Sequence, residues 1–351
     1  MESVSLGFPP LTTAVFVGLA VSAMLIDMFS HRGNKPVSLT QAAVWSVFWV
    51  FISLGFAGFL YVEHGPTIAS LFVTGYALEK VLSVDNLFVF MAIFAWFKVP
   101  DGLRHRVLYW GIIGAIIFRL VFVAIGTGLL AFGPWVEVAF AVIVGWTAVM
   151  MLRSGGDEEA EPDYSEHMAY RFAKKLFPVW PKLHGNNFFV RRHELEHELQ
   201  KPENKGMTLA AKGTLFATPL FLCLVVAEIS DVLFAFDSVP AVIAVSREPL
   251  IVYSAMLFAI LGLRTLYFVL EALKRYLVHL EKAVIALLFF IAAKLGLNAT
   301  NHLFDHGYNI DANTSLLVVM VVLAIGLLAS VLLPGKAEQV EKKPKHQKGS
   351  K

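Results

Sequence analysis

The sequence predicts an all-α polytopic membrane protein of about nine transmembrane helices, built around an inverted repeat of two three-helix units. Three observations carry that expectation. Of the 351 residues, 57% are hydrophobic and 16% charged, more apolar surface than a water-soluble fold could cover. The apolar residues gather in nine windows of roughly the ~20-residue length that crosses a hydrocarbon layer. Lys and Arg collect in alternate loops, as the positive-inside rule requires of consecutive spans.

The windows lie at 10–29, 42–62, 68–97, 106–131, 135–152, 214–246, 250–272, 280–298 and 314–333. Each is a continuous apolar run without period-two alternation, so helices are expected in place of barrel strands. The first window runs longer than a signal-peptide core and has only Glu2 as a charged residue before Asp27, so it reads as a retained span. Arg32 and Lys35, then Lys98, Arg104 and Arg106, then Arg153, then Lys274 and Arg275, and finally the tail lysines mark one face. The segments Glu63–Thr67, Phe132–Trp135 and Asn301–Thr314 contain no Lys or Arg, and the turn after the sixth window has only Arg247. The N-terminus is therefore expected outside and the C-terminus in the cytoplasm.

On this reading the chain divides into two N-terminal helices (1–67), a first three-helix unit (68–152), a polar cytoplasmic insertion (153–213), a second three-helix unit (214–300), an outer loop with the last helix (301–333), and a basic tail (334–351). The two central units resemble each other. Glu79 stands six residues before Asp85, and Asp231 six before Asp237. Each acidic window is followed by a span with a matching arginine, in Gly114-Ala-Ile-Ile-Phe-Arg119 and Ala259-Ile-Leu-Gly-Leu-Arg264. By the charge rule the first copy enters inward and the second outward, the inverted-repeat arrangement of many secondary transporters.

Five carboxylates lie in or beside the third and sixth windows: Glu79, Asp85, Glu228, Asp231 and Asp237. Each ionised carboxylate at the centre of a bilayer costs at least ~2.5–3.5 kcal/mol, so such residues signal a function. Helical spacing puts Glu79, Ser83 and Asn86 on one face, Asp231 and Ser238 on another, and Glu228 one turn below Asp231. Asp85 and Asp237 point away from those faces in an ideal helix, so convergence requires unwinding or a second helix. Pro240 is expected to kink the sixth span beside Asp237 and free the carbonyl of Phe236. Carboxylates, an amide and hydroxyls form a hard donor set suited to Mn²⁺, Ca²⁺ or Mg²⁺, and neither motif contains Cys or His. Structural pairing with Lys80, Arg119 and Arg264, a position in interfacial water, and a metal-free proton relay are the competing readings.

At these residues the sequence resembles the TerC family of bacterial membrane proteins. The resemblance rests on Glu79-Lys-Val-Leu-Ser-Val-Asp-Asn-Leu-Phe-Val-Phe90, on Ala217-Thr-Pro-Leu-Phe-Leu222, and on Glu228-Ile-Ser-Asp-Val-Leu-Phe-Ala-Phe-Asp-Ser-Val-Pro-Ala241. Asn187-Phe-Phe-Val-Arg191 and Leu257-Phe-Ala-Ile-Leu-Gly-Leu-Arg264 add to it. It implies an inner-membrane protein, linked in some members to tellurite resistance and in others to manganese export. It also implies an ion site at Glu79, Asp85, Asn86, Glu228, Asp231 and Asp237. Tellurite is an anion that a pocket of carboxylates would repel, which favours an indirect route to resistance.

The expected function is export of a divalent cation such as Mn²⁺ or Ca²⁺, with no enzymatic activity and no organic cofactor. The alternative is a membrane scaffold or metal sensor whose insertion at 153–213 recruits cytoplasmic resistance proteins. The lipid bilayer is an expected partner; nucleic acid is not, because no basic patch is interleaved with aromatics. His193-Glu-Leu-Glu-His197 matches the H-E-x-x-H zinc pattern but sits in a short charged segment, where a solvated helix face is the simpler reading. His302, Asp305, His306 and Asp311 are read as a polar outer loop able to assist metal release, and Asp27 as facing headgroups. Cys223 is the single cysteine, so no intramolecular disulfide can form.

Overall fold

A computed structural model describes residues 8–30, 38–154, 168–201, 204, 214–273, 280–305, 307, 308 and 310–332. The acidic run 157–163 and the basic tail 334–351 lie outside the described residues. The chain forms α1 (Pro10–Ser30), α2 (Leu39–His64), α3 (Pro66–Trp96), α4 (Asp101–Leu129), α5 (Pro134–Ser154), α6 (Met168–Leu176), α7 (Arg192–Leu199) and α8 (Pro219–Val245). After them come α9 (Pro249–Ile260), α10 (Leu263–Leu273), α11 (Leu280–Phe304) and α12 (Ala312–Leu332). A two-stranded antiparallel ribbon joins β1 (Phe189–Arg191) to β2 (Leu215–Ala217). The all-α membrane architecture is as the sequence leads one to expect. Among the described residues, seven helices are long and apolar enough to cross a membrane, and α9–α10, bent by 52°, makes an eighth. The remaining expected window is α3, a 31-residue helix whose Glu79, Lys80 and Asp85 lower its apolar character.

Burial sorts these helices into a shell and a centre. Val17 and Val21 of α1, Phe51 of α2, Trp146 of α5, and Leu317 and Leu328 of α12 are exposed apolar side chains, placed where lipid would solvate them. The centre is α9, in which Leu250, Ile251, Val252 and every residue of Ser254–Ile260 is buried. A helix apolar on all sides and covered on all sides is a core element. Phe258 stacks on Phe56 of α2, with ring centroids 5.1 Å apart, and meets Phe72 of α3 edge-on.

The helix break falls elsewhere than the proline predicts. α8 runs unbroken through Pro240, whose missing amide and ring the surrounding helix accommodates, as membrane helices often do. The interruption is instead at Leu261 and Gly262, between α9 and α10. Gly262 has φ +78°, a left-handed conformation open to glycine, and a Cβ there would overlap the Trp49 ring. Lys80 of α3 reaches this break and donates to the carbonyls of Ala259 (3.0 Å) and Leu261 (3.2 Å). A cation thus meets the negative end of α9, where helix carbonyls lack intrahelical partners.

The helix ends agree with the alternating path inferred from charge. At one end Thr12 of α1 bonds His64 of α2 (2.8 Å), and Glu137 at the start of α5 pairs with Arg247 beyond α8 (2.7 Å). At the other, Arg104 at the start of α4 pairs with Glu271 near the end of α10. The insertion contributes α6, α7 and the ribbon, closed over a small core of Trp180, Val190, Leu195 and Phe216. Thr218 ties it to α8 by donating from its hydroxyl to the carbonyls of Asn187 (2.8 Å) and Phe188 (3.1 Å).

Gly262→Ala should destabilise the folded protein by roughly 2–4 kcal/mol, from the strained φ and the overlap with Trp49. The thermal midpoint in detergent is the measurement, and an unchanged midpoint would contradict the packing at the break.

Candidate functional site

Three helices converge on one buried charge cluster. α3 supplies Glu79, α4 supplies Arg119 and α8 supplies Asp231, with relative exposures of 0%, 2% and 6%. Arg119 pairs with Glu79 Oε1 through Nη1 and with Asp231 Oδ1 through Nη2 at 3.2 Å. Ser83, one turn along α3, donates to Glu79 Oε1 (3.3 Å), confirming the shared face expected from the i, i+4 spacing.

Glu228 lies one turn before Asp231, and its carboxylate rests directly on Gly114 of α4, where a Cβ would overlap it. The glycine of the Gly114–Arg119 motif thus makes room for an acid on α8, and the arginine holds the acid one turn further on. Asn86 is half-buried on α3. Asp85 and Asp237 sit on α3 and α8, but their side chains lie outside the described residues. Of the six expected site residues, the structure joins Glu79 and Asp231 through Arg119 and sets Glu228 one turn from Asp231, against Gly114.

Three carboxylates against one guanidinium leave the described cluster with an excess of formal negative charge. Among the described residues, several of its buried oxygens have no hydrogen-bond partner: Glu79 Oε2, Glu228 Oε2 and Asp231 Oδ2, and so does Ser238 Oγ, two turns along α8 from Asp231. Such orphaned acceptors are costly unless something donates to them or binds them. All are hard oxygens, and a cation of the Mn²⁺ or Ca²⁺ class suits them. Among the described residues, no group of three or more His, Cys, Asp or Glu is closed tightly enough to hold a metal in this conformation. Arg119 stands between Glu79 and Asp231. Two clefts flank the cluster. One lies beside α3, α4 and α8, and Asp231 is the charged residue in its apolar lining. The other, equally narrow, is lined by Arg119 with Ile116, Tyr253 and Met256.

The other charges sort differently from the sequence expectation. Arg264, the counterpart of Arg119, pairs with Asp27 of α1 (3.0 Å), and both are buried. Asp27 consequently faces the bundle and not headgroups, because a buried arginine on α10 needs an acid. Lys80 serves the helix break. Of the three cations weighed as structural partners for the motif acids, only Arg119 plays that part among the described residues. Glu137 was missed: it is buried, with Arg247 at 2.7 Å and His302 at 3.4 Å. The available signal was a lone acid opening an apolar span on the same side as the lone Arg247. Asp311 caps α12 by accepting from the amides of Asn313 (3.0 Å) and Thr314 (3.2 Å). The Thr314 hydroxyl, followed by these amides, holds its carboxyl below the usual aspartate range. Asp305 is exposed and His306 lies outside the described residues. His193 and His197 are both exposed on the eight-residue α7, as a solvated helix face would be.

The profile of the integral membrane protein TerC family matches residues 64–338. The tellurium resistance protein TerC of Serratia marcescens is 68% identical over 97% of this chain and 99% of its own length. That of an Alcaligenes species is 66% identical over 97% of this chain and 99% of its own length. The putative membrane-bound redox modulator Alx of Photorhabdus laumondii is 35% identical, covering 92% of this chain and 95% of its own. No solved structure matches.

Gly114→Ala should displace the Glu228 carboxylate and lower stability by roughly 1–3 kcal/mol. Gly111→Ala, one turn earlier with open space around its Cβ position, is the control and should be near neutral. Equal thermal midpoints for the two variants would contradict the contact between α4 and α8.

Proposed function

The chain belongs to the TerC family of integral membrane proteins, and from that premise we propose that it moves a divalent cation, Mn²⁺ foremost, across the bacterial inner membrane. The observation that carries this reading is the set of buried carboxylate oxygens, unpartnered among the described residues, on and beside the acids that Arg119 bridges. Glu79, Glu228 and Asp231 would supply the first ligands, with Asp85, Asn86 and Asp237 completing the set as the substrate enters. Oxygen donors from two different helices let the substrate ion join or release the helices as it binds or leaves.

The inverted repeat supplies the alternating gate in this reading. α3 packs on α9 and α4 on α8, while α5 packs along α11, so each helix of one three-helix unit meets its cross-partner in the other. That exchange of partners supports a pseudo-two-fold relation between the units. Outward-facing N-terminus, cytoplasmic C-terminus and export against a proton gradient belong to the same proposal. Contribution to tellurium resistance follows indirectly, through divalent-metal homeostasis, because the acidic cluster repels a tellurite anion. The redox wording of the Alx relatives has no dithiol to act through here, since the sole cysteine, Cys223, is buried among apolar side chains.

A second reading, a scaffold that recruits cytoplasmic resistance proteins, is favoured by one observation. The insertion folds over its own small core and is fastened to α8 through Thr218, as a presented docking module would be.

Purified protein in proteoliposomes should carry Mn²⁺ in preference to Mg²⁺ and tellurite, with a rate that responds to a pH gradient. Asp231→Asn, and likewise Asp85→Asn or Asp237→Asn, should lower Mn²⁺ flux by on the order of tenfold or more without loss of expression. Wild-type flux in all three variants would contradict the assigned site. Deletion within 168–201 separates the readings: transport predicts retained flux, and a scaffold predicts lost resistance with cation binding intact.

A further inference from the structure

We propose that Arg119 is a resident counter-cation that occupies the acidic site whenever the substrate is absent, and that the substrate must displace it. The inference rests on the transport reading and specifies how the site is controlled. Its basis is the geometry of the pairing. A structural arginine bridge is strongest when the planar fork engages both oxygens of a carboxylate. Arg119 instead meets one oxygen of Glu79 and one of Asp231, leaving Oε2 of the first and Oδ2 of the second without a partner among the described residues. The Nε of Arg119 is likewise buried without a hydrogen bond among the described residues. Each half of this pairing is incomplete, on the arginine as on the acids.

Each member of the Arg119–Asp231 bond also lines a narrow cleft. Arg119 lines one with Ile116, Leu120 and Tyr253, and the Tyr253 hydroxyl bonds the carbonyl of Leu120 (3.2 Å) there. Asp231 lines the other with Leu87, Ala115 and Ala227. The Arg119–Asp231 bond thus joins residues that line two clefts. A monovalent, tethered cation neutralises the acids well enough to keep them buried, yet a free divalent cation attracts the same oxygens more strongly. Entry of the ion and departure of Arg119 are one exchange. This would prevent the empty carrier from leaking ions.

The test compares Mn²⁺ binding to full-length protein in detergent by titration calorimetry. Removing the competitor in Arg119→Gln should tighten Mn²⁺ binding by on the order of tenfold, while Arg119→Lys, which keeps a tethered cation, should remain close to wild type. Looser or unchanged binding by a folded Arg119→Gln protein, with wild type still binding Mn²⁺, overturns the inference and leaves the transport reading standing. Failure of wild type to bind Mn²⁺ overturns both. Should Arg119→Gln not fold, wild type decides: Mn²⁺ should raise phenylglyoxal modification of Arg119 several-fold, read by peptide mass spectrometry. A structural bridge predicts modification that is unchanged or suppressed by Mn²⁺, and that result overturns the inference.

Discussion

A guanidinium buried in an apolar bundle has to be answered by acids, and the acids have to come from helices close enough to reach it. Arg119 meets that constraint with Glu79 of α3 and Asp231 of α8, which fixes the rotation of three helices about one point. Taking such charges out of water costs several kcal/mol per ion, and only close partners offset it. Gly114, a turn and a half earlier on α4, follows from the same approach, because the α4–α8 spacing that serves the ion pair leaves no room for a Cβ against Glu228. The second buried arginine repeats the solution with a different acid, Asp27 on α1, and thereby anchors the N-terminal helix to α10.

The break between α9 and α10 is tied to the same region. Lys80 follows Glu79 in sequence and, on a helix, points about a quarter-turn away from it. One residue therefore reaches the acid–arginine cluster while the next satisfies the carbonyls of Ala259 and Leu261 at the break. Movement of α3 on ion binding would be felt at the bend directly. α3 is in this way in contact with both the buried charge cluster and the bend in the central helix.

Much of this architecture is legible in the sequence because lipid imposes a simple rule: spans must be long, apolar and helical. The nine windows map onto α1–α5, α8, the α9–α10 pair, α11 and α12 with boundaries shifted by a few residues. The Glu79–Ser83 face is visible as spacing, and the Gly114–Arg119 pattern as a motif, although not the room that Gly114 makes for Glu228. What spacing could not reveal was partner choice across helices. Asp27 and Arg264 are 237 positions apart, and nothing local to either names the other. Glu137 went unnoticed because its partners, Arg247 and His302, lie on other helices' ends. α8 is continuous through Pro240, so the unwinding expected there is not present, whereas Gly262, placed in a run of apolar residues, carries the break between α9 and α10 through its positive φ.

Whether carboxylate and amide oxygens at the Arg119 cluster hold a divalent cation can be read by electron spin-echo spectroscopy of Mn²⁺ bound to the purified protein. Saturable binding of one Mn²⁺ per chain is expected, with no histidine nitrogen modulation, and it should be lost in a Glu79→Gln/Asp231→Asn double variant. Strong imidazole nitrogen modulation that survives the double variant would place the metal elsewhere and contradict that expectation.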